Sequence, residues 1–196
     1  MRQTYSAMEN AHIKMSIRIF EDDKSNTPYF NETADIKRQN KNYYYQFGSI
    51  NMLMNAKYIL MVDRSSQEIV CTRRSLKEEE QMAQDPFKPN LDSILSFYGA
   101  PDDLGKAADG RHYRLLKKMG TIRQFDFFID EDRKILNRIE YHYEDKHYVV
   151  IRFILFEMHP AFSIDVFDER KFVLEEKGKL TPASSYKGYH VAVVNN

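Results

Sequence analysis

The side chains able to do chemistry in this chain are few and scattered. Six histidines stand at positions 12, 112, 142, 147, 159 and 190. His142 and His147 flank one expected hairpin turn, Asp145-Lys146, so both are able to reach the same end of a sheet. A metal ion held there needs a third or fourth ligand from a facing element. Glu144 and Asp145 are nearby but sit at the turn, where a solvated carboxylate is the default, and no metal site is expected. The acidic groups Asp102-Asp103 and Asp130-Glu131-Asp132 lie in turn-like sequence. Acidic residues are favoured there for local hydrogen bonding rather than as an acid/base pair. There is no Gly-x-Ser-x-Gly elbow, no P-loop, no Gly-x-Gly-x-x-Gly and no His-Glu-x-x-His. Nucleophilic, nucleotide-dependent and zinc-protease chemistry therefore lack a motif. No catalytic residue and no cofactor is expected. The single cysteine, Cys71, cannot form an internal disulfide and reads as a small hydrophobe within the strand-like Glu68-Ile69-Val70-Cys71-Thr72.

Apolar, adaptable material is far more abundant. Nine methionines is a high count, and Met52-Leu53-Met54 lies close to Tyr43-Tyr44-Tyr45, Phe47 and Ile50. Methionine suits both irregular cores and surfaces that must accept variable apolar ligands. Thirteen Tyr and thirteen Phe with no Trp make a β-rich profile. At 196 residues the chain is one ordinary domain's worth, expected as a single domain over 1–196. Twenty-nine basic against twenty-nine acidic residues give a formal net charge of zero, which argues against a nucleic-acid partner.

The elements that must position these residues are mostly strands. From His12 to Phe20 apolar side chains occupy every second position, the alternation of a strand with one dry face. Further strands are expected at Thr33–Arg38, Tyr43–Phe47, Tyr58–Asp63 and Glu68–Arg73, then at Arg111–Lys118, Ile122–Asp130, Lys134–Glu144 and His147–Met158. Short polar turns between the later strands mean an antiparallel meander. Leu76–Ala83 has high helix propensity, and Leu91, Ile94, Leu95 and Tyr98 recur at helical spacing after Asn90. The fold class expected is α+β, mainly β: a curved antiparallel sheet forming an unclosed barrel, with the mid-chain helices packed as a lid. In the tail, Phe167–Val173 and Tyr186–Tyr189 are expected as an edge strand and an ordered extension. The longest apolar run, Val149–Phe156, is far short of the roughly 20 residues a spanning helix needs, so no transmembrane segment is expected. No signal peptide precedes the first strand, which suits either a cytoplasmic protein or an exported one without its leader.

This arrangement resembles the LolA/LolB-like family of periplasmic lipoprotein and lipid carriers. The likeness runs over roughly residues 5–167, from the alternating Ile13–Ile19 strand through Lys37-Arg38, the aromatic Tyr43–Phe47 and the mid-chain helices to Phe125–Asp130 and Ile135–Tyr143. Arg38 is followed by Gln39 where LolA-type carriers have a proline, and Tyr43–Tyr45 stand where tryptophans often occur. The resemblance implies an open barrel that shelters acyl chains without covalent chemistry, in the periplasm. On this basis the lining is expected from Ile13, Met15 and Ile17, from Tyr43, Tyr45 and Phe47, and from Met52 and Met54 near the mouth. Phe125, Phe127 and Ile129 complete it from the meander, and Leu91, Ile94, Leu95 and Tyr98 from the lid. The expected partner is a lipid or an acylated lipoprotein. The alternative is a ligand-free interaction subunit of a cell-envelope assembly, with residues 168–196 gripping a protein partner.

Overall fold

The computed structural model describes residues 9–74, 99–116 and 121–194. The described residues are nearly all β. Their strands are β1 (Asn10–Phe20), β2 (Phe30–Gln39), β3 (Asn42–Phe47), β4 (Ile50–Met54), β5 (Tyr58–Asp63), β6 (Glu68–Arg73) and β7 (Asp102–Ala107). There follow β8 (Gly110–Leu116), β9 (Ile122–Asp130), β10 (Ile135–Tyr143), β11 (Tyr148–Met158), β12 (Val173–Glu176), β13 (Lys179–Pro182) and β14 (His190–Val194). Twelve of them form one sheet in the order β14-β6-β5-β4-β3-β2-β1-β11-β10-β9-β8-β7, and β12-β13 is a separate hairpin. Among the described residues β14 and β7 are the end strands of this order. Tight polar turns make antiparallel neighbours of consecutive strands. β14 instead reaches β6 through the tail and pairs with it in parallel, Val191 opposite Ile69 and Val193 opposite Cys71.

The helices expected at Leu76–Ala83 and Leu91–Tyr98, with the lid residues Leu91, Ile94, Leu95 and Tyr98, lie outside the described residues. Among the described residues, helix is limited to 3-10 turns at Ile164–Phe167, Glu169–Lys171 and Ser184–Tyr186. The tail is also built differently from the edge strand expected at Phe167–Val173. That segment turns twice, and only from Val173 does it extend into β12. The β12–β13 loop is the two residues Lys177 and Gly178, both at positive φ (50° and 80°), as a tight hairpin turn requires.

Contacts within the chain gather into two compact units. Among the described residues the first comprises 13–33, 99–116 and 121–156, and the second comprises 9–12, 34–74 and 157–194. In the second unit Leu53, Tyr58, Leu60, Val62, Ile69 and Cys71 project from β4, β5 and β6 and are buried against Phe167, Phe172, Val173 and Leu180 of the tail. Each such side chain contributes about 1.5–3 kcal/mol by leaving water. Asn55 fixes the join: its Nδ2 donates to the Phe167 carbonyl at 3.0 Å and to Glu169 at 2.8 Å, while its Oδ1 accepts from the Tyr58 and Lys57 amides. Glu175 closes the other side, accepting from Lys57 and the Tyr58 hydroxyl at 2.8 Å each and from Arg73. In the first unit Leu115, Phe128, Ile135, Val150 and Phe156 are buried, together with one carboxylate, Asp126.

Candidate functional site

The register of β2 to β6 decides which side chains share a face in the second unit. Tyr43 lies opposite Met54, Tyr45 opposite Met52 and Phe47 opposite Ile50. Across the next ladder Met52 faces Met61 and Met54 faces Ile59, while Ile36 on β2 lies opposite Tyr45. Directly opposed residues point to the same side of a sheet, so five of the residues expected to bind ligand stand together: Tyr43, Tyr45, Phe47, Met52 and Met54. This face is the reverse of the one that the tail covers. Tyr43 and Met54 are buried, Tyr45, Phe47 and Met52 are half-buried, and Met61 is 43% exposed. Tyr45 and Phe47 stack with ring centroids 6.3 Å apart, and Arg38 lies over the Tyr43 ring at 5.3 Å. Burial pushes the Tyr45 phenol above its ordinary range, so it stays neutral and serves as apolar surface with a hydroxyl handle.

In the first unit the expected lining residues also share a face. Phe125 lies between Leu115 and Tyr141, Phe127 between Tyr113 and Ile139, and Ile129 opposite Arg111. Phe125 stacks on Phe127 at 6.1 Å and meets Tyr141 edge-on at 4.9 Å. Ile13, Met15 and Ile17 alternate along β1, all half-buried. The sequence reading missed the reverse face of β8, β9 and β10, where His112, Arg114, Gln124, Asp126, Arg138, Glu140 and His142 stand together. Asp126, 1% exposed, is the hub. Its Oδ1 lies 2.5 Å from His112 Nε2 and accepts from Arg114 Nε at 2.8 Å. Its Oδ2 accepts from Gln124 at 2.5 Å and lies 3.3 Å from His142 Nε2. Burial works against the charge, but the hydrogen bonds from His142, Gln124, Arg114 and His112 outweigh it and hold the carboxyl well below its usual range. Burial, reinforced by the neighbouring Glu140, pushes the Tyr148 phenol well up.

The remaining singled-out groups find local roles. His147 pairs with Asp145 at 2.9 Å across the β10–β11 turn rather than with the His142 cluster. Cys71 is fully buried, and desolvation raises its thiol to about 11, which leaves a packing group with no nucleophilic fraction at neutral pH. Asp103, expected in a turn, sits on β7 in a forked pair with Arg111. The second unit also carries two adjoining cavities of about 510 and 350 Å³, sharing Lys37 and Val166 in their walls. In the larger one, His12 lies between Asp35 at 2.9 Å and Glu157 at 3.4 Å, with Met158, Phe162 and Val166 around it.

No protein-family model and no curated protein sequence matches the chain. Solved structures do. An uncharacterized conserved protein from Thermus thermophilus superposes with a TM-score of 0.53 at 8% identity, covering 98% of this chain and 95% of that one. At that identity the likeness is one of fold. The chain is also similar to a LolA superfamily protein from Nitrosomonas europaea, with a TM-score of 0.35 at 10% identity over 85% of this chain and 93% of that one. A third likeness is to MucB in the Pseudomonas aeruginosa MucA/MucB complex, with a TM-score of 0.43 at 12% identity over 85% of this chain and 58% of that one. Scores at that level carry no argument about activity. No helix among the described residues is long and apolar enough to cross a membrane.

Proposed function

We propose that this chain is a non-enzymatic carrier or binding protein for an acylated ligand, a lipid or a lipoprotein, working in the periplasm. The observation that carries this reading is the apolar face of β3, β4 and β5. Tyr45, Phe47, Met52 and Met61 are not needed to bury the tail, yet they form a contiguous and partly exposed apolar surface. Neighbouring strands lie about 4.8 Å apart, so the five strands β2 to β6 offer a stripe roughly 19 Å wide, comparable to an extended acyl chain. Each methylene buried there is worth about 0.8 kcal/mol, so half a dozen contribute about 5 kcal/mol before ordering costs. The thioethers let one surface take chains of different length. Leu91, Ile94, Leu95 and Tyr98 belong to this reading on their sequence spacing alone, and an unclosed barrel is the form of sheet that would give such a stripe depth. The family resemblance, with its carriers of lipoproteins, points the same way.

The test is native mass spectrometry of the purified protein with lipid extraction, followed by displacement of a bound acyl species by a fluorescent fatty acid. Met61→Arg, at an exposed position that tolerates the change, is expected to abolish probe binding while leaving the melting temperature within about 2 °C. A clean unliganded mass together with no probe binding to the wild type would sink the reading. The second reading, an interaction subunit of a cell-envelope assembly, draws on the end strand β14, where Val193 and Val194 are 47% and 44% exposed. It predicts that Val193→Lys breaks association with a protein partner and leaves probe binding unchanged.

A further inference from the structure

We propose that His112, Asp126, Glu140 and His142 form a binding site for one divalent ion of the zinc class, clasping β8, β9 and β10 together. The inference is independent of the acyl-binding reading, since it rests on the polar face of the first unit. In the register Asp126 lies opposite Arg114 on β8 and Glu140 on β10. His112 and His142 are each two residues from those positions, so all four side chains project from one face. Ligand atoms of Asp126, Glu140 and His142 lie within 4.8 Å of one another. His112 Nε2 lies 2.5 Å from Asp126 Oδ1. A tetrahedral zinc ion with bonds near 2.1 Å spaces its ligand atoms about 3.4 Å apart. The 3.3 Å between His142 and Asp126 already meets that spacing, and Glu140 belongs to the same close group, whereas His112 stands outside that group and has to swing away from Asp126 Oδ1 to become the fourth ligand.

The surroundings are those of a metal site rather than of a surface charge cluster. The four side chains are only 1–18% exposed, so a bound ion would be shed of most of its water. Asp126 is held in place by Arg114 and Gln124, which supply the outer-shell partners that orient a ligating carboxylate. Arg138 is the obvious competitor, and its geometry is poor: Nε is buried 3.0 Å from Glu140 but makes no hydrogen bond, while its other end pairs with Asp109 at 2.5 Å. Arg138 therefore keeps a carboxylate when Glu140 turns to an ion. Two imidazoles and two carboxylates favour zinc over magnesium or calcium, which want oxygen alone. Two carboxylate charges also balance a dication. The third and fourth ligands that the His142–His147 pair lacks in the sequence are thus supplied by neighbouring strands, and His147 is not among them.

The experiment uses the full chain without an affinity tag, treated with chelator and titrated with Co²⁺ while its visible absorption is read, then back-titrated with Zn²⁺. One equivalent of Co²⁺ is expected to give saturable bands that Zn²⁺ removes, and Zn²⁺ is expected to raise the melting temperature. Glu140→Gln and His142→Gln are each expected to weaken binding at least tenfold, and His147→Ala to leave it unchanged. Absence of a saturable Co²⁺ band overturns the proposal, as does undiminished binding in both folded variants. If neither variant folds, Zn²⁺ titration of the wild type by NMR decides instead. Shifts confined to the rings of His112 and His142 uphold the site, and their absence overturns it.

Discussion

The two units of this chain use the same local pattern, antiparallel strands with two distinct faces, and bury the second face by different means. In the second unit one face of β4 to β6 is sealed by Phe167, Phe172, Val173 and Leu180, and burial there is almost wholly apolar. In the first unit the corresponding low-exposure face is charged, and Asp126 is buried because four donors surround it. The apolar cover is forgiving of small shifts, since transfer energy depends on area and not on direction. The charged face is not forgiving, because each group left without its partner carries the full cost of desolvation.

The largest effect should come from removing the apolar cover. Deleting residues 168–196 strips Phe172, Val173 and Leu180 from the second unit, together about 5–8 kcal/mol of transfer free energy and comparable to the whole stability of a domain. Thermal melting followed by circular dichroism should lose its cooperative transition. A truncated chain that still melts sharply would show that the tail is an appendage, as the interaction-subunit alternative requires.

The matching blow to the first unit is Asp126→Asn, expected to cost about 3 kcal/mol in denaturant unfolding because His112, Arg114 and His142 lose a shared anion. A cost under about 0.5 kcal/mol would make the network a solvated decoration and erase the contrast between the units. Gly110→Ala probes the same unit through its backbone. Gly110 has φ +117°, and a Cβ there would stand 2.3 Å from the Ile129 carbonyl oxygen. About 1–3 kcal/mol of destabilisation is expected. Hydrogen exchange at β8 and β9 should rise while that at β5 and β6 stays as it was, and a uniform rise across all four strands would show that the units open together.

The smallest effect, and one visible only against pH, belongs to Glu175. Hydrogen bonds from Lys57, Tyr58 and Arg73 lower its carboxyl to about 2 in the folded chain, against about 4.3 for an ordinary glutamate. A depressed folded-state value stabilises above the unfolded one, and that contribution disappears as pH falls through the folded one. Glu175→Gln should therefore be less stable than wild type at pH 7 and converge with it between about pH 4 and pH 2. A difference that persists unchanged at about pH 2 would assign the loss to packing rather than to charge.

How much of this was legible depends on how local each cause is. Tyr58–Asp63, Glu68–Arg73 and Ile122–Asp130 are strands with the bounds that their composition and flanking turns suggest. β4 was missed because Ile-Asn-Met-Leu-Met does not alternate cleanly, and β7 because Asp102-Asp103-Leu104-Gly105 reads as a turn and is mostly exposed. In the tail, the Lys177-Gly178 pair between Glu176 and Lys179 was a usable hairpin signal. That the β3 and β4 residues Tyr43, Tyr45, Phe47, Met52 and Met54 would be neighbours was legible, since aromatic and Met residues cluster in sequence. The Asp126 network was not, because each of its members looks like an ordinary polar position of a two-faced strand.

By itself the sequence determined where most strands run and which side chains share a face along each strand, because alternation is a property of the extended backbone and needs no partner. It could not say which face would be the core. That was decided when the tail folded back over Leu53, Leu60 and Ile69, and when register brought residues as far apart in the chain as His112 and His142 around one carboxylate. Burial is a collective quantity, fixed by what arrives from elsewhere in the chain, and no local pattern carries it.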